Sequence, residues 1–289
     1  MFEYDSRLAL DIQEQARQER QGLVLRDITY ASPCGGSVSA WLIAPRRAFS
    51  SAGLVFMHPS GTGRHAFLEE ACLFCHSGAV ALLIDAPHAR SPQRSLFRFD
   101  DSDREDFVQC VVDLRRGVDL LTAQTAVDPR RIGFVGFSYG ATVGAMLAGV
   151  DKRIRAYILW GGSAYLSKFL SAQGKRMPRK KLTEYVERMS VLDSIHHVSH
   201  AAPSALLFQN GRVDKNVPPP DARALHQAAS EPKRVAWYDA GHALNGQARL
   251  DRYAWLREQL ALAPLSPALE QQLSKFSLKQ MARPRRTGL

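Results

Sequence analysis

The chain alternates between short apolar runs, which are typical of strands, and segments whose apolar residues recur at helical spacing. The first two runs flank a Ser-Pro-Cys-Gly-Gly turn and predict an antiparallel hairpin. The predicted strands cover residues 23–30, 37–43, 54–57, 79–84, 131–137, 154–160, 205–208 and 235–238. The predicted helices cover residues 67–75, 102–123, 141–150, 221–229 and 248–260. This alternation indicates an α/β fold, with a mostly parallel sheet and helices on both of its faces.

Residues 163–201 interrupt the alternation. This segment separates two core strands, is too long for a simple crossover, and is basic and helix-prone. We interpret it as a small helical cap insertion over the edge of the sheet. Residues 268–289 predict a basic C-terminal tail with a short helix at most. The whole chain, residues 1–289, is predicted to form a single domain with these two additions.

The composition is that of an ordinary globular protein, with 45% hydrophobic and 23% charged residues. No apolar run approaches the roughly 20 residues that span a bilayer, and the N-terminus lacks a secretory pattern. We therefore expect a cytoplasmic protein without a membrane partner. The four cysteines are too few for a disulfide scaffold in 289 residues.

The net charge of +10 comes from 38 Lys and Arg against 28 Asp and Glu. Much of the excess lies in residues 168–188 and in the tail. Such clusters can bind nucleic acid, but they are far more often a solvated face. We expect no nucleic-acid partner.

The strongest chemical signal is Gly136-Phe137-Ser138-Tyr139-Gly140. It follows an apolar strand and opens a helix, which is the context that a nucleophilic serine requires. The turn is so tight that side chains at the flanking glycine positions would collide. The pattern therefore predicts that Ser138 is a nucleophile held clear of the backbone, beside the positive end of the helix.

A serine hydroxyl needs a base, and that base needs an acid to orient it. His242 follows the last predicted strand and is the predicted base. Asp214 lies just beyond the strand that ends at Phe208, and the order Ser, Asp, His is the one expected for this architecture. Asp193 is the rival acid, but it precedes the strand and should lie on the wrong side of the sheet.

Two backbone amides are expected to bind the oxyanion of the reaction. One is the amide of Tyr139, directly after the nucleophile. The other comes from the loop after the strand at 54–57, where Ser60 is the first choice and Gly61 the second. Pro59 is excluded because proline has no N–H.

With these motifs the chain resembles an α/β-hydrolase of the dienelactone hydrolase and acetyl xylan esterase-like group, which is related to the prolyl oligopeptidases. The resemblance covers residues 28–260 and rests on His58-Pro59-Ser60-Gly61, Asp85-Ala86-Pro87, Asp128-Pro129-Arg130-Arg131-Ile132, the Ser138 turn, Gly211-Arg212-Val213-Asp214, Val217-Pro218 and Gly241-His242. The family typically has His-Gly where this chain has His58-Pro59. The resemblance implies an eight-stranded sheet, no metal or other cofactor, and hydrolysis of esters or related acyl compounds.

Other residues carry weaker signals. His58, Gly61, Trp160 and Tyr165 are candidates for contact with substrate, although ordinary packing explains the aromatic pair equally well. The Cys72-Leu73-Phe74-Cys75-His76 pattern resembles a haem-attachment or thiol redox motif. Since both cysteines fall at core-facing helical spacing, we interpret them as packed thiols.

The sequence thus predicts a serine esterase that forms an acyl-enzyme intermediate and acts on a small ester or acyl substrate. A peptidase or amidase of the prolyl oligopeptidase type and a non-catalytic binding protein are the alternatives. Whether the chain forms a homodimer is left open.

Overall fold

The sheet that the apolar runs predict is present in the computed structural model, which describes residues 1–90 and 95–275. Its strands are β1 (Gln13–Arg20), β2 (Leu23–Ala31), β3 (Ser37–Pro45), β4 (Ser51–Met57), β5 (Ala79–Ile84), β6 (Val127–Phe137), β7 (Ile154–Trp160), β8 (Ala205–Gly211) and β9 (Lys233–Tyr238). Their order across the sheet is β1-β2-β3-β5-β4-β6-β7-β8-β9. Strands β1, β2, β3 and β5 pair antiparallel, and every other pairing is parallel.

The prediction of eight strands is wrong, because the sheet has nine. The additional strand, β1, pairs antiparallel with β2 at one edge of the sheet. Its sequence is QEQARQER, and almost all of its side chains are exposed. A strand that is solvated on both faces has no apolar alternation, so the pattern that revealed the other strands is missing here.

The helices are α1 (Leu68–His76), α2 (Asp101–Thr122), α3 (Tyr139–Val150), α4 (Leu166–Gln173), α5 (Arg179–Met189), α6 (Ser194–Val198), α7 (Pro219–Ala228), α8 (Gly246–Leu260) and α9 (Pro267–Lys275). Helices α2 and α3 cover one face of the sheet, and α1 and α8 cover the other. Consecutive residues of β4 alternate between the two cores, as the two-residue period of a strand requires. Within the described residues, no helix is long and apolar enough to cross a membrane.

The segment 163–201 lies between β7 and β8 and contains α4, α5 and α6. Two hydrogen bonds attach it to the rest of the fold, and a third lies within it. Tyr185 donates its hydroxyl proton to Asp103 over 2.7 Å and Ser194 donates to the Thr142 carbonyl over 2.9 Å, whereas Ser167 donates to Asp193 over 2.7 Å inside the segment. The basic residues 179–181 lie on the exposed side of α5.

The predicted basic tail falls largely outside the described residues, which end at residue 275. Helix α9 is the part of it that is described, and this helix packs against α8 and α1.

Candidate active site

Ser138 occupies the turn between β6 and α3, with a φ of +54° and a ψ of −112°. This left-handed backbone is rare for a residue with a side chain and is typical of functional turns. A Cβ on Gly136 would lie 2.4 Å from the carbonyl oxygen of Gly140, and a Cβ on Gly140 would lie 2.1 Å from that of Met57. Both positions therefore require glycine, as the sequence pattern predicted.

The structure brings Ser138, His242 and Asp214 together in one chain of hydrogen bonds. The distance from His242 Nδ1 to Asp214 Oδ2 is 2.7 Å, and that from His242 Nε2 to Ser138 Oγ is 2.8 Å. Because a carboxylate only accepts hydrogen bonds, a neutral His242 carries its proton on Nδ1. Nε2 is then the acceptor for the serine hydroxyl, which is the arrangement that a general base needs.

The Asp214 side chain is 2% exposed and is held by three hydrogen bonds. Its Oδ1 accepts from the amides of Asn216 at 2.8 Å and Val217 at 3.0 Å, while Oδ2 faces His242. Burial by itself would raise the pKa of this carboxyl, but the bonds from His242 and the two amides outweigh it and hold the pKa below its ordinary value. Asp214 is therefore ionised at neutral pH and ready to stabilise a protonated histidine.

The rival acid, Asp193, lies elsewhere. Both of its carboxylate oxygens accept bonds from Ser167, one from the amide and one from the hydroxyl, each at 2.7 Å. Asp193 thus holds α4 and α6 together within the 163–201 segment. This use of the side chain agrees with the choice of Asp214.

The two cysteines of the C-x-x-C-H pattern are unpaired thiols on α1. Burial raises the pKa of Cys72 to about 12 and that of Cys75 well above its ordinary value. Because the thiolate is the reactive form, neither side chain is prepared for thiol chemistry.

The loop from His58 to Gly63 forms the second side of the site. Ser60 and Tyr139 both line the cavity that contains Ser138. Tyr139 is the first residue of α3, and amides at that position have no partner within the helix. Gly61, with a φ of +72°, is exposed at the tip of the loop. Ser60 and Tyr139 thus share a cavity with Ser138, and their role as oxyanion donors stays a prediction.

His58 lies behind this loop and not on the cavity wall. Its side chain is buried, Nε2 accepts from the amide of Ala86 at 3.0 Å, and Nδ1 donates to the carbonyl of Pro59 at 2.8 Å. Burial lowers the pKa of His58, although the Pro59 carbonyl opposes this, so the ring is neutral. Both ring nitrogens are occupied, which leaves neither for a substrate. His58 instead holds the loop, as does Asp85, which accepts from the amide of Arg64 at 2.7 Å.

The two aromatic candidates differ in position. Trp160 is fully buried and does not line the cavity, so it has no surface for a substrate. Tyr165 is half-buried and lines a neighbouring cleft, with the ammonium group of Lys168 3.4 Å from the centre of its ring.

The cavity beside Ser138 is small, about 50 Å³, and its wall is mostly apolar. Its lining residues are Ser60, Phe97, Phe107, Ser138, Tyr139, Thr142, Ser163, Leu166, Phe169, Asn216 and Val217. A second and more open cleft of about 680 Å³ adjoins it, since both share Ser163, Phe169 and Asn216. The site therefore offers a narrow apolar compartment next to Ser138 and a wide one outside it.

The sequence of residues 99–262, more than half of the chain, matches the prolyl oligopeptidase family. The chain belongs to the prolyl oligopeptidase family. This places it in the α/β-hydrolase superfamily, as the motifs around Ser138 and His242 indicated. A search of curated protein sequences finds no match.

Solved structures similar to this prolyl oligopeptidase family member include several that are named esterases. The acetyl xylan esterase from Paenibacillus sp. R4 is 20% identical, with a TM-score of 0.76 over 87% of this chain and 89% of that one. Acetyl xylan esterase 1 from Thermoanaerobacterium sp. JW/SL YS485 is 16% identical, with a TM-score of 0.73 over 86% and 88%. A cold-adapted esterase from an Arctic intertidal metagenomic library is 15% identical, with a TM-score of 0.66 over 85% and 98%. At these identities the likeness shows the fold alone.

Sequence patterns did not identify several of the residues that line the cavity of this family member. Phe97, Phe107 and Leu166 are apolar, and apolar residues in or beside a helix are indistinguishable from core residues until their neighbours are known. Thr142 links the serine turn to the 163–201 segment, because its hydroxyl donates to the Ser138 carbonyl and accepts from the amide of Ser163, each at 3.1 Å. The sequence signal for Thr142 is its place one helical turn after Ser138.

Proposed function

We propose that the protein is a serine hydrolase that cleaves carboxylic esters, with Ser138 as nucleophile, His242 as base and Asp214 as orienting acid. The observation that carries the proposal is the continuous chain of two short hydrogen bonds from Asp214 through His242 to the Ser138 hydroxyl. This chain ends at a cavity, so the hydroxyl can meet a substrate. Family membership supports a hydrolase of this superfamily.

The reaction follows from the geometry. His242 Nε2 takes the proton of Ser138 Oγ as the oxygen attacks the ester carbonyl carbon, and ionised Asp214 stabilises the resulting imidazolium. The amides of Tyr139 and Ser60 stabilise the negative charge on the carbonyl oxygen. His242 then gives its proton to the leaving alcohol, which departs as the C–O bond breaks. Water repeats the sequence on the acyl-enzyme and releases the acid.

The two compartments indicate the size of the substrate. At about 50 Å³, the cavity beside Ser138 is far below the roughly 300 Å³ at which pockets for drug-sized ligands begin. We assign the short acyl group to it and the alcohol to the cleft of about 680 Å³. Two structures with this fold are named acetyl xylan esterases, which agrees with a short acyl group but is only an analogy of fold.

The decisive experiment is hydrolysis of p-nitrophenyl acetate, butyrate and octanoate by the wild type and by Ser138→Ala. We expect kcat/KM to fall with acyl length and the activity to drop by at least about 10⁴-fold in the variant. Ser199→Ala, which changes an exposed serine outside the cavity, is the matched control and should match the wild type. Equal rates for wild type and Ser138→Ala would contradict the proposed nucleophile.

A peptidase or amidase is the second candidate, and the prolyl oligopeptidase family match is what favours it. The matched test compares the p-nitrophenyl ester and the p-nitroanilide of the same acyl group. We expect Ser138-dependent cleavage of the ester and little of the anilide. Cleavage of the anilide at a comparable rate would make the amidase the better description. Activity on neither substrate would favour a non-catalytic binding protein.

A further inference from the structure

Trp160, the last residue of β7, contacts both the nucleophile and the base of the site. Its backbone carbonyl accepts from the amide of Ser138 at 2.8 Å. Its indole Nε1 donates to the backbone carbonyl of His242 at 3.0 Å. Trp160 is fully buried, so it links the backbones of Ser138 and His242 from behind the site and not through the substrate cavity.

The indole ring is itself held on rigid neighbours. The ring of Phe137, which precedes the nucleophile, stacks on it with centroids 3.8 Å apart and an interplanar angle of 18°. Phe137 also contacts the His242 ring, with centroids 4.9 Å apart. The guanidinium carbon of Arg252 lies 4.4 Å from the centroid of the indole ring, which is the geometry of a cation–π interaction.

A buried ion pair supports this contact. Arg252 is 0% exposed, and its guanidinium bonds to both carboxylate oxygens of Glu70, at 2.5 Å and 3.3 Å. A third bond, at 2.9 Å, joins it to the side-chain oxygen of Gln209. Gln209 also accepts the amide of Gly161 through its backbone carbonyl, at 2.9 Å. The ion pair thus connects α1, α8 and β8 to the end of β7.

Burying two charges is expensive and gives little stability compared with apolar packing, so a buried pair suggests a need for fixed geometry. That need exists here. His242 lies in the stretch between β9 and α8, which is neither helix nor strand, whereas Ser138 lies in a turn whose shape two glycines enforce. A displacement of about 1 Å between such groups can cost about 10²-fold in rate.

We propose that Trp160, held by the Arg252–Glu70 pair, is a positioning residue that sets the distance between Ser138 Oγ and His242 Nε2. The inference rests on the proposed function, because it assumes that these two atoms react. The sequence had suggested Trp160 as a substrate contact. Its burial and its two hydrogen bonds assign it to the support of the catalytic residues instead.

The test is Trp160→Phe, which keeps an aromatic ring but removes the N–H that His242 accepts. We expect kcat for p-nitrophenyl acetate to fall about tenfold while KM stays within about twofold, because the bond acts on the reacting pair and not on the substrate. A second readout needs no turnover. The Nδ1 proton of His242, protected by Asp214 in the wild type, should exchange faster with water in the variant, and proton NMR can measure this.

Trp255→Phe is the matched control. Trp255 lies on α8, three residues after Arg252, and its indole nitrogen has no hydrogen-bond partner among the described residues. This variant should keep both the kcat and the exchange rate of the wild type. The double variant Glu70→Gln with Arg252→Met removes the ion pair without leaving an unpaired charge, and it should reproduce the loss in kcat.

The outcomes separate the two proposals. Ester hydrolysis that persists in the Ser138→Ala variant overturns the proposed function. The NMR exchange rate then still decides the role of Trp160. An active, Ser138-dependent wild type with unchanged kcat and unchanged exchange in Trp160→Phe overturns the positioning role alone. A rise in KM at constant kcat would return Trp160 to the substrate and also overturn it.

Discussion

The serine turn and the 163–201 segment meet at the same small cavity, but they are held in place in different ways. The turn depends on contacts between neighbours in sequence, since Gly136 must clear Gly140 four residues later. The segment depends on hydrogen bonds to distant residues, for example that from Tyr185 to Asp103, 82 residues away. The chemistry is therefore encoded locally, whereas the shape of the pocket is encoded over long range.

The first prediction tests the local contacts that hold the serine turn. Gly136→Ala places a Cβ 2.4 Å from the carbonyl oxygen of Gly140, which is backbone of the same turn and cannot move cheaply. We expect a loss of about 3 kcal/mol in the free energy of unfolding, measured in urea, together with loss of the proposed ester hydrolysis.

The matched control is Gly241→Ala. Its added Cβ meets nothing within 4 Å, and its φ is not in the left-handed region. The free energy of unfolding should stay within about 0.5 kcal/mol of the wild type. Two variants with equal stabilities would show that the tight turn is not what requires glycine at position 136.

This difference in encoding explains what the sequence could predict. Ser138, Asp214 and His242 each follow an apolar strand at a short distance, and the carboxyl ends of parallel strands meet at one edge of the sheet. Their meeting could therefore be predicted without any knowledge of side-chain contacts. The same logic correctly placed Asp193 away from His242.

The features that the sequence did not reveal depend on contacts between residues that are far apart in the chain. Strand β1 is polar on both faces, so only its pairing with β2 identifies it. Trp160 lies at the right edge of the sheet for a substrate contact, but the stacked Phe137 and the Arg252 guanidinium bury it. The partner of Arg252 is Glu70, 182 residues away, and no local pattern reveals such a pair.

A second prediction concerns the long-range side. Tyr185→Phe removes the buried hydroxyl that donates to Asp103, whose carboxylate keeps bonds from the amides of Arg98 and Phe99. A hydrogen bond to a charged group contributes about 1.5–3 kcal/mol, so we expect a loss of about 2 kcal/mol in the free energy of unfolding. Because α5 packs on α4, which carries Phe169 into the cavity, KM for the acetate ester should also rise.

Tyr165→Phe is the corresponding control for stability, because the Tyr165 hydroxyl makes no hydrogen bond with the residues that the structure describes. It should unfold at the same urea concentration as the wild type. An unchanged midpoint in Tyr185→Phe as well would mean that the bond to Asp103 does not hold the segment.

The prediction with the smallest expected effect concerns two aspartates. One contacts the catalytic histidine of the proposal and the other contacts the 163–201 segment. Asp214 belongs to the proposed catalytic chain, whereas Asp221 holds the start of the 163–201 segment by accepting from the Ser163 hydroxyl at 2.7 Å and the Ala164 amide at 3.3 Å. The pKa of Asp214 lies below its ordinary value of 3.8. Burial raises the pKa of Asp221 above 3.8, because the bonds from Ser163 and Ala164 offset it only in part.

These shifts have opposite consequences for stability. Ionised Asp214 stabilises the fold above pH 3.8, and this contribution disappears as the pH falls through its lower, folded-state pKa. Ionised Asp221 opposes folding at neutral pH, and the cost is relieved as the pH falls through its raised pKa toward 3.8. Asp214→Asn should therefore lower the free energy of unfolding at about pH 7 and have a smaller effect at about pH 3, whereas Asp221→Asn should slightly raise it at about pH 7 and lose the gain at about pH 3. Urea unfolding of both variants and the wild type at the two pH values measures this crossing. If the free energies of unfolding of the two variants depend on pH in the same way, the contacts of the 163–201 segment stabilise ionised Asp221 as well as His242 and the two amides stabilise ionised Asp214. The serine turn and the segment would then not differ in how they hold their carboxylates.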